Sequence, residues 1–184
     1  MVLNRRELVL AGLALSACLP KVGQTVKAAK PTPTALAGVL RKLESGEFVG
    51  LPETLTADLG AVLSARNLVQ QAPVADALAA FGARRATPQR LEWLAEQSPG
   101  AELLVLVETE VAFYSQLNGR FRWTVNVVAT ACPPTELATA VSSSFSVPVF
   151  LQFHHEREVE ALTEAASVVS RQVGFLLDEV LAGL

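Results

Sequence analysis

The sequence is poor in the residues from which catalytic and metal sites are most often built. It has two histidines, two cysteines and charged residues at only 18% of its 184 positions. His154 and His155 are neighbours, so on a helix they would point about 100° apart and could not chelate one metal as residues four apart do. No phosphate-binding glycine-rich loop, Gly-x-Ser-x-Gly turn or Cys-x-x-Cys pair occurs. We therefore expect no enzyme activity, no metal and no noncovalent cofactor.

Positive charge is also scarce. The net charge is −3, whereas a nucleic-acid-binding domain usually presents a basic face. Arg84, Arg85 and Arg90 form a small basic cluster that is typical of a solvated helix end. With 51% hydrophobic residues, the chain is too apolar to be disordered. Its length predicts one packed domain. Its net charge argues against nucleic-acid binding.

The first residues have the order of an export signal. Arg5 and Arg6 give a positive start, an apolar stretch follows from Leu8 to Leu15, and small residues come next. A membrane-spanning helix needs roughly 20 apolar residues, so this stretch is too short to be one. The paired arginines also suit twin-arginine export, which we keep as an alternative to the general secretory route.

The stretch Leu15-Ser16-Ala17-Cys18 resembles the bacterial lipobox. That resemblance implies cleavage before Cys18 and acylation of its thiol, and several acyl chains anchor a protein firmly in a membrane. Leu19 stands where enterobacterial lipoproteins retained at the inner membrane have aspartate, which favours the outer membrane, facing the periplasm. We expect a signal peptide at 1–17, a lipidated tether at 18–34 and one domain at 35–184.

Periodicity predicts an α+β domain, with a small, mostly antiparallel sheet packed against several helices. Helices are expected at Ala35–Leu43, Leu51–Leu68 and Pro73–Phe81, at a segment capped by Thr87 with Pro88 in its first turn, and at Glu156–Leu181. A third strand is expected at Leu137–Val149, where Pro148 indicates either a strand at the sheet edge or the end of a strand. Ser142, Ser143 and Ser144 fit such an edge better than a nucleophile, and Cys132 has no nearby base that would activate it.

A long β-hairpin is the clearest pattern in the chain. Leu103–Tyr114 and Phe121–Ala131 are rich in β-forming residues, and Asn118-Gly119 favours a tight turn between them. Alternation gives the hairpin one apolar and one polar face. A pair of carboxylates can act as acid and base only in a cleft, so we interpret the polar face as a surface for a partner. Its candidate residues are Glu108, Glu110, Arg122, Thr124 and Asn126.

The passage from Leu94 to Glu108, in which a helix ends at Ser98-Pro99-Gly100 and a strand begins at Leu103, resembles a family of envelope lipoproteins. They include the curli-pore protein CsgG, the penicillin-binding-protein activator LpoB and the amino-terminal domain of TolB. The likeness covers roughly residues 51–181. Those relatives have a buried strand before their first helix, whereas Ala35–Leu43 is predicted here to be helical.

These observations favour a membrane-anchored, non-enzymatic binding or assembly module of the bacterial cell envelope. The partner would be a cell-wall synthase, a secretion or envelope complex, or another copy of the chain. The alternatives are a periplasmic carrier, with a cavity for a small apolar or lipid ligand, a homo-oligomeric secretion-pore subunit, and an enzyme.

Overall fold

The computed structural model describes residues 30–43, 45–74, 76–152 and 157–183. The export signal, the lipobox and most of the predicted tether lie outside these residues. Within them the chain forms six strands, four α-helices and a short 3-10 helix at Leu137–Thr139. The strands are β1 (Thr32–Lys42), β2 (Phe48–Gly50), β3 (Leu68–Gln70), β4 (Leu103–Leu117), β5 (Arg120–Cys132) and β6 (Val141–Leu151). The helices are α1 (Glu53–Ser64), α2 (Ala77–Ala83), α3 (Thr87–Gln97) and α4 (Glu158–Gly183).

One mixed sheet organises the domain, in the strand order β2-β1-β4-β5-β6. The short strand β3 pairs with the start of β1, on the same side as β2. β1 runs parallel to β3 and β4, and the other neighbours are antiparallel. The predicted α+β class is confirmed, including the long hairpin and the long helix α4 near the end of the chain.

The hairpin β4–β5 forms where the sequence predicts it. Asn118 and Gly119 both have positive φ, 49° and 75°, as a type I′ turn requires. The ladder continues to Leu104 opposite Cys132 and shifts register once, between Phe113 and Ser115. The turn therefore fixes the register. β4 starts at the predicted residue and ends three residues later than predicted, and β5 is one residue longer at each end.

The prediction of a helix at Ala35–Leu43 is wrong, because these residues belong mainly to β1. Leu40 faces the core that α1 and α4 cover, whereas Ala37 and Val39 face the helices α2 and α3. A strand covered on both faces does not alternate between polar and apolar residues. Leu36, Val39 and Leu40 are also spaced as on one face of a helix, which favoured the wrong prediction. β1 begins at Thr32, so the last three residues of the predicted tether are part of the sheet.

Helices cover the two faces of the sheet unequally. α4 lies across β4, β5 and β6 beside α1, and together they enclose the larger apolar core. α2 and α3 cover the start of β1 and β4 on the other face, where Phe81, Leu94 and Leu104 are buried. No helix in the described part of the chain is both long and apolar enough to cross a bilayer.

Several other predicted boundaries need correction. α1 begins after Pro52, which occupies the cap position, and ends before Leu68, which starts β3. Ala86, and not Thr87, is the cap of α3. α2 starts at Ala77, and β6 starts at Val141 after the short 3-10 helix. The expectation that Pro148 lies in an edge strand is confirmed.

The ion pair that joins the end of α1 to α4 predicts a pH-dependent contribution to stability. Arg66 donates to both carboxylate oxygens of Asp178, at 2.7 and 2.8 Å, and these hydrogen bonds lower the pKa of Asp178. A carboxylate with a depressed folded-state pKa stabilises the fold above its unfolded pKa and loses that contribution as the pH falls through the folded value.

We therefore expect Asp178→Asn to lower the free energy of unfolding at pH 7, and the difference from wild type to shrink toward about pH 2.5. Urea denaturation of both proteins at the two pH values measures this. A difference of the same size at both pH values would contradict the assignment.

Candidate functional site

Among the described residues, the helices leave part of one sheet face uncovered, and β4 shows where the uncovered part begins. From Leu103 to Val107 every β4 side chain is buried, because helices cover both faces. From Glu108 to Ala112 the strand alternates between partly exposed and buried residues. The change marks the edge of the layer formed by α2 and α3. Beyond that edge, one face of β4, β5 and β6 lacks a helical cover among the described residues.

A groove runs along this edge, between the open sheet face and the segment that joins α2 to α3. Its volume is about 860 Å³, within the range typical of ligand sites. We call it the polar groove. Its charged and polar side chains are Arg41, Arg84, Arg85, Thr87, Arg90, Glu108, Thr109, Glu110, Asn126, Ser144 and Ser146.

A buried ion pair between Arg90 and Glu108 forms one wall of the polar groove. The Arg90 guanidinium donates to Glu108, to the backbone oxygen of Arg84 at 3.0 Å and to that of Phe81 at 3.2 Å. It also lies 4.9 Å from the centre of the Phe48 ring, a cation–π contact. Arg90 thus ties α2, α3, β2 and β4 together from a position that is 8% exposed.

Both carboxylate oxygens of Glu108 accept hydrogen bonds within this wall. One carboxylate oxygen accepts from Arg90, and the other accepts from the Thr87 hydroxyl at 2.7 Å. Glu110, two residues further along the strand, pairs with Arg41 at 3.4 Å and is more exposed. The two glutamates therefore line one groove but have different partners. Glu108 is a structural anion, whereas Glu110 lies at the accessible side.

The charge of the polar groove is positive, in contrast to that of the whole chain. Four arginines and two glutamates line it. Arg84 stacks 5.5 Å from the Trp93 ring centre and donates to the backbone oxygen of Ala80. Arg85 is exposed. With Arg90 and Arg41 each paired to a glutamate, Arg84 and Arg85 supply the surplus positive charge at the groove's mouth.

A second cluster lies further along the same open face, toward the hairpin turn. Tyr114 is 68% exposed, and the Arg122 guanidinium lies 4.7 Å from its ring centre. Phe150 is directly opposite Arg122 in the register with β6 and is 48% exposed. Thr124 is opposite Pro148. We call Tyr114, Arg122 and Phe150 the distal patch.

The five residues predicted as a partner face are all on this open side, but the structure divides them. Glu108, Glu110 and Asn126 line the polar groove, where Asn126 accepts a hydrogen bond from Ser146 at 2.7 Å. Arg122 and Thr124 lie at or beside the distal patch.

Sequence reasoning missed the arginines of the polar groove. The interpretation of Arg84, Arg85 and Arg90 as a solvated helix end is wrong for Arg90, which is buried. The pattern of α3 contained the necessary indication, because Arg90 shares a helical stripe with Leu91 and Leu94. Arginine is rarely buried without a partner, so its place in an apolar stripe indicates a candidate for a buried ion pair. Arg41 could not be placed, because β1 was predicted to be a helix, and Phe48 lies in β2, a strand that was not predicted.

A separate apolar groove of about 540 Å³ lies on the far edge of the sheet. β3 pairs with Thr32–Thr34 and β2 with Val39–Arg41, so among the described residues no strand pairs with the intervening part of β1 on this side. The groove's lining is mainly apolar and includes Leu36, Leu51, Leu59, Val74, Ala77 and Leu78.

The remaining candidates for chemistry among the described residues lie on β5 and β6. Cys132 is fully buried, and burial raises the pKa of its thiol, which disfavours the reactive thiolate. Ser142 and Ser144 are exposed on β6. Groups of three or more metal-ligating side chains are absent from the described residues. His154 and His155 lie outside them.

No family model matches the chain, and no curated protein does. Among solved structures, it is similar to a hypothetical protein from Chlamydia trachomatis, with 15% identity over 85% of this chain and 100% of that one and a TM-score of 0.48. It is also similar to a lipoprotein from Neisseria meningitidis, with 16% identity over 78% and 98% of the two chains and a TM-score of 0.44. A third similar structure is a PelC dodecamer from Paraburkholderia phytofirmans, with 12% identity over 77% of this chain and 86% of that one and a TM-score of 0.42. Several other structural neighbours are also named as lipoproteins. Likenesses this distant assign no function.

Proposed function

We propose that the chain is a bacterial envelope lipoprotein, anchored through an acylated Cys18, that docks an envelope protein by its open sheet face. The anchor rests on the order of features in the first 18 residues: paired arginines, a short apolar stretch, then Leu15-Ser16-Ala17-Cys18. The protein would face the periplasm from the outer membrane. Its partner would be a cell-wall synthase or a secretion or envelope complex.

The polar groove carries the docking part of the proposal. It places four arginines and two glutamates on the edge of an open sheet face, in a chain whose net charge is −3. Charge complementarity across an interface favours partners of opposite sign. The groove therefore suits an acidic segment of a protein partner, held by Arg84 and Arg85 at the mouth, with the distal patch as an aromatic and cationic contact beside it.

The fold supports the resemblance from which this role was inferred. The relatives of CsgG, LpoB and the TolB amino-terminal domain have a buried strand before their first helix, and β1 provides a buried strand in that place. The apparent departure from their pattern is thereby removed. The resemblance itself remains part of the proposal.

Binding of a defined acidic probe tests the docking site. We expect a fluorescently labelled peptide of ten glutamates to bind, with an affinity that falls as salt rises. Arg85→Glu should weaken binding by about tenfold, because it reverses an exposed charge at the mouth of the groove. Fluorescence anisotropy measures both effects.

A matched control separates the groove from general charge. Arg171→Glu makes the same charge change at an exposed position on α4, on the other side of the sheet, and should leave the affinity unchanged. A peptide of ten glutamines should not bind. Equal weakening by the two substitutions would show that the probe responds only to net charge, which would overturn the assignment of the groove.

The apolar groove at the far edge favours a second candidate, a carrier of a small apolar or lipid ligand. Its lining of leucine, valine and alanine side chains around a volume of about 540 Å³ is what such a ligand needs. Native mass spectrometry of the purified chain distinguishes the two roles. A co-purifying apolar molecule would favour the carrier, and its absence would favour the docking module.

A further inference from the structure

The outer edge of β6 is open to pairing with another strand. β6 has eleven residues and is hydrogen-bonded to β5 along one side, and among the described residues no strand lies on its other side. Soluble proteins usually block long edge strands with charged residues, bulges or proline. β6 has no charged residue, and its ladder with β5 has no register shift. Pro148 is the one blocking device in the strand.

The hairpin turn determines which backbone groups of β6 point outward. In a two-residue type I′ hairpin, the flanking residues Leu117 and Arg120 form a hydrogen-bonded pair. Even-numbered residues of β5 therefore bond to β4, and odd-numbered residues bond to β6. Their partners in β6 are also odd-numbered, from Val141 to Leu151. The N–H and C=O groups of the even-numbered β6 residues must point away from the sheet.

Pro148 supports this assignment independently. Proline has no N–H, so it is tolerated in a strand where that group would point away from the ladder. Pro148 is even-numbered and opposite Thr124, as the hairpin argument requires. The open edge therefore presents complete donor and acceptor pairs at Ser142, Ser144 and Ser146, and Pro148 stops further pairing.

We propose that two copies of the chain associate through this edge, with their β6 strands antiparallel about a two-fold axis at Ser144. Ser144 would face its own symmetry mate, and Ser142 would face Ser146 of the other copy. The three residue pairs would exchange two backbone hydrogen bonds each, about six in all. The two sheets would then form one continuous sheet. This interaction is additional to the proposed docking function and does not depend on acylation of Cys18.

Charge and side-chain pattern favour a second copy as the occupant. Because β6 has no charged side chain, two copies can lie side by side without like-charge repulsion. In this register Val141 would lie opposite Val147 of the other copy, and Phe145 opposite Ser143. Val141 and Phe145 are only partly buried beside the core, so pairing would cover apolar surface. A two-fold contact is also closed and cannot grow into a fibre.

Disulfide trapping tests the register. Directly opposed residues of a hydrogen-bonded antiparallel pair have Cα atoms about 5.5 Å apart, within the range of a disulfide. In the full-length chain with Cys18→Ser, we expect Ser144→Cys to form a covalent dimer on mild oxidation, as seen by non-reducing electrophoresis. The Cys18→Ser chain without further substitution is the control. Its remaining cysteine, Cys132, is fully buried, so this parent chain should run as a monomer on the gel.

The neighbouring serines provide matched controls. Ser142→Cys alone should not crosslink, because it would face Ser146, whereas Ser142→Cys with Ser146→Cys should crosslink. Equal crosslinking by Ser142→Cys and Ser144→Cys would indicate random collision and overturn the proposed register. Failure of Ser144→Cys to crosslink would overturn it as well.

Ser144→Pro tests the association without oxidation. It removes an outward N–H and leaves the bonds to β5 intact, so the circular dichroism spectrum should be retained while the dimer dissociation constant rises at least about tenfold. Ser144→Thr keeps the N–H and should still dimerise. If the proline variant is misfolded, Ser144→Lys places like charges across the axis and tests the same contact. Light scattering that shows a monomer for the parent chain at about 100 μM would contradict the proposal.

Discussion

Arg90→Met is expected to lower the free energy of unfolding by about 3–5 kcal/mol, because it leaves the Glu108 carboxylate buried without its cation. The side chains of Arg90 and Glu108 are only 10% and 14% exposed. The substitution also removes the donors to the backbone oxygens of Phe81 and Arg84. Methionine preserves much of the side-chain volume, so the loss should reflect charge and hydrogen bonding more than a cavity. Urea denaturation gives the difference.

Two controls distinguish this effect from a general loss of packing. Arg90→Met combined with Glu108→Gln removes both charges and should recover part of the loss, because glutamine can still accept from Thr87. Arg171→Met changes an exposed arginine on α4 and should have an effect within about 0.5 kcal/mol. A cost of less than about 1 kcal/mol for Arg90→Met would show that the pair does not hold the groove wall together.

Leu40→Ala is expected to cost about 2–5 kcal/mol, because it removes a fully buried side chain from the central part of the sheet. Leu40 is in β1 and faces the core beneath α1 and α4. Helices cover β1 on both faces, so the cavity cannot collapse easily. Thermal or urea unfolding measures the loss.

Leu43→Ala is the matched control for this strand. Leu43 follows β1 and is 42% exposed, so its truncation should cost well under 1 kcal/mol. In a helix spanning Ala35–Leu43, Leu40 and Leu43 would share one buried stripe and would contribute similarly. Equal costs for the two substitutions would therefore contradict the assignment of β1 as a strand.

Local patterns predicted the elements that have one covered face or a specific turn. The β4–β5 hairpin followed from Asn118-Gly119 and strand alternation, and α4 followed from its long apolar stripe. β1 was missed because helices cover both of its faces. Its side chains are therefore mostly apolar on both sides, and its run of alanine, glycine and leucine shows no alternation of polar and apolar residues. β2 and β3 have three residues each, too few to show any period.

The candidate site was predictable only in part, for a related reason. Its β4 and β5 residues, such as Glu110 and Asn126, lie on a strand face that alternation reveals. Its remaining wall comes from β1, β2 and the connection between α2 and α3, which only the tertiary fold brings together. Arg90 carried a local indication that the sequence reasoning did not use, since it shares the apolar stripe of α3, where a charged residue is rarely buried without a partner.

The most direct test of the central proposal is acylation of Cys18. The full chain and its Cys18→Ala variant would be expressed in a Gram-negative host, labelled with a fatty-acid analogue and separated into soluble, inner-membrane and outer-membrane fractions. We predict that the wild-type chain takes up label and sediments with the outer membrane, whereas the alanine variant is unlabelled and absent from the outer-membrane fraction. Absence of label from both proteins would contradict the lipoprotein proposal.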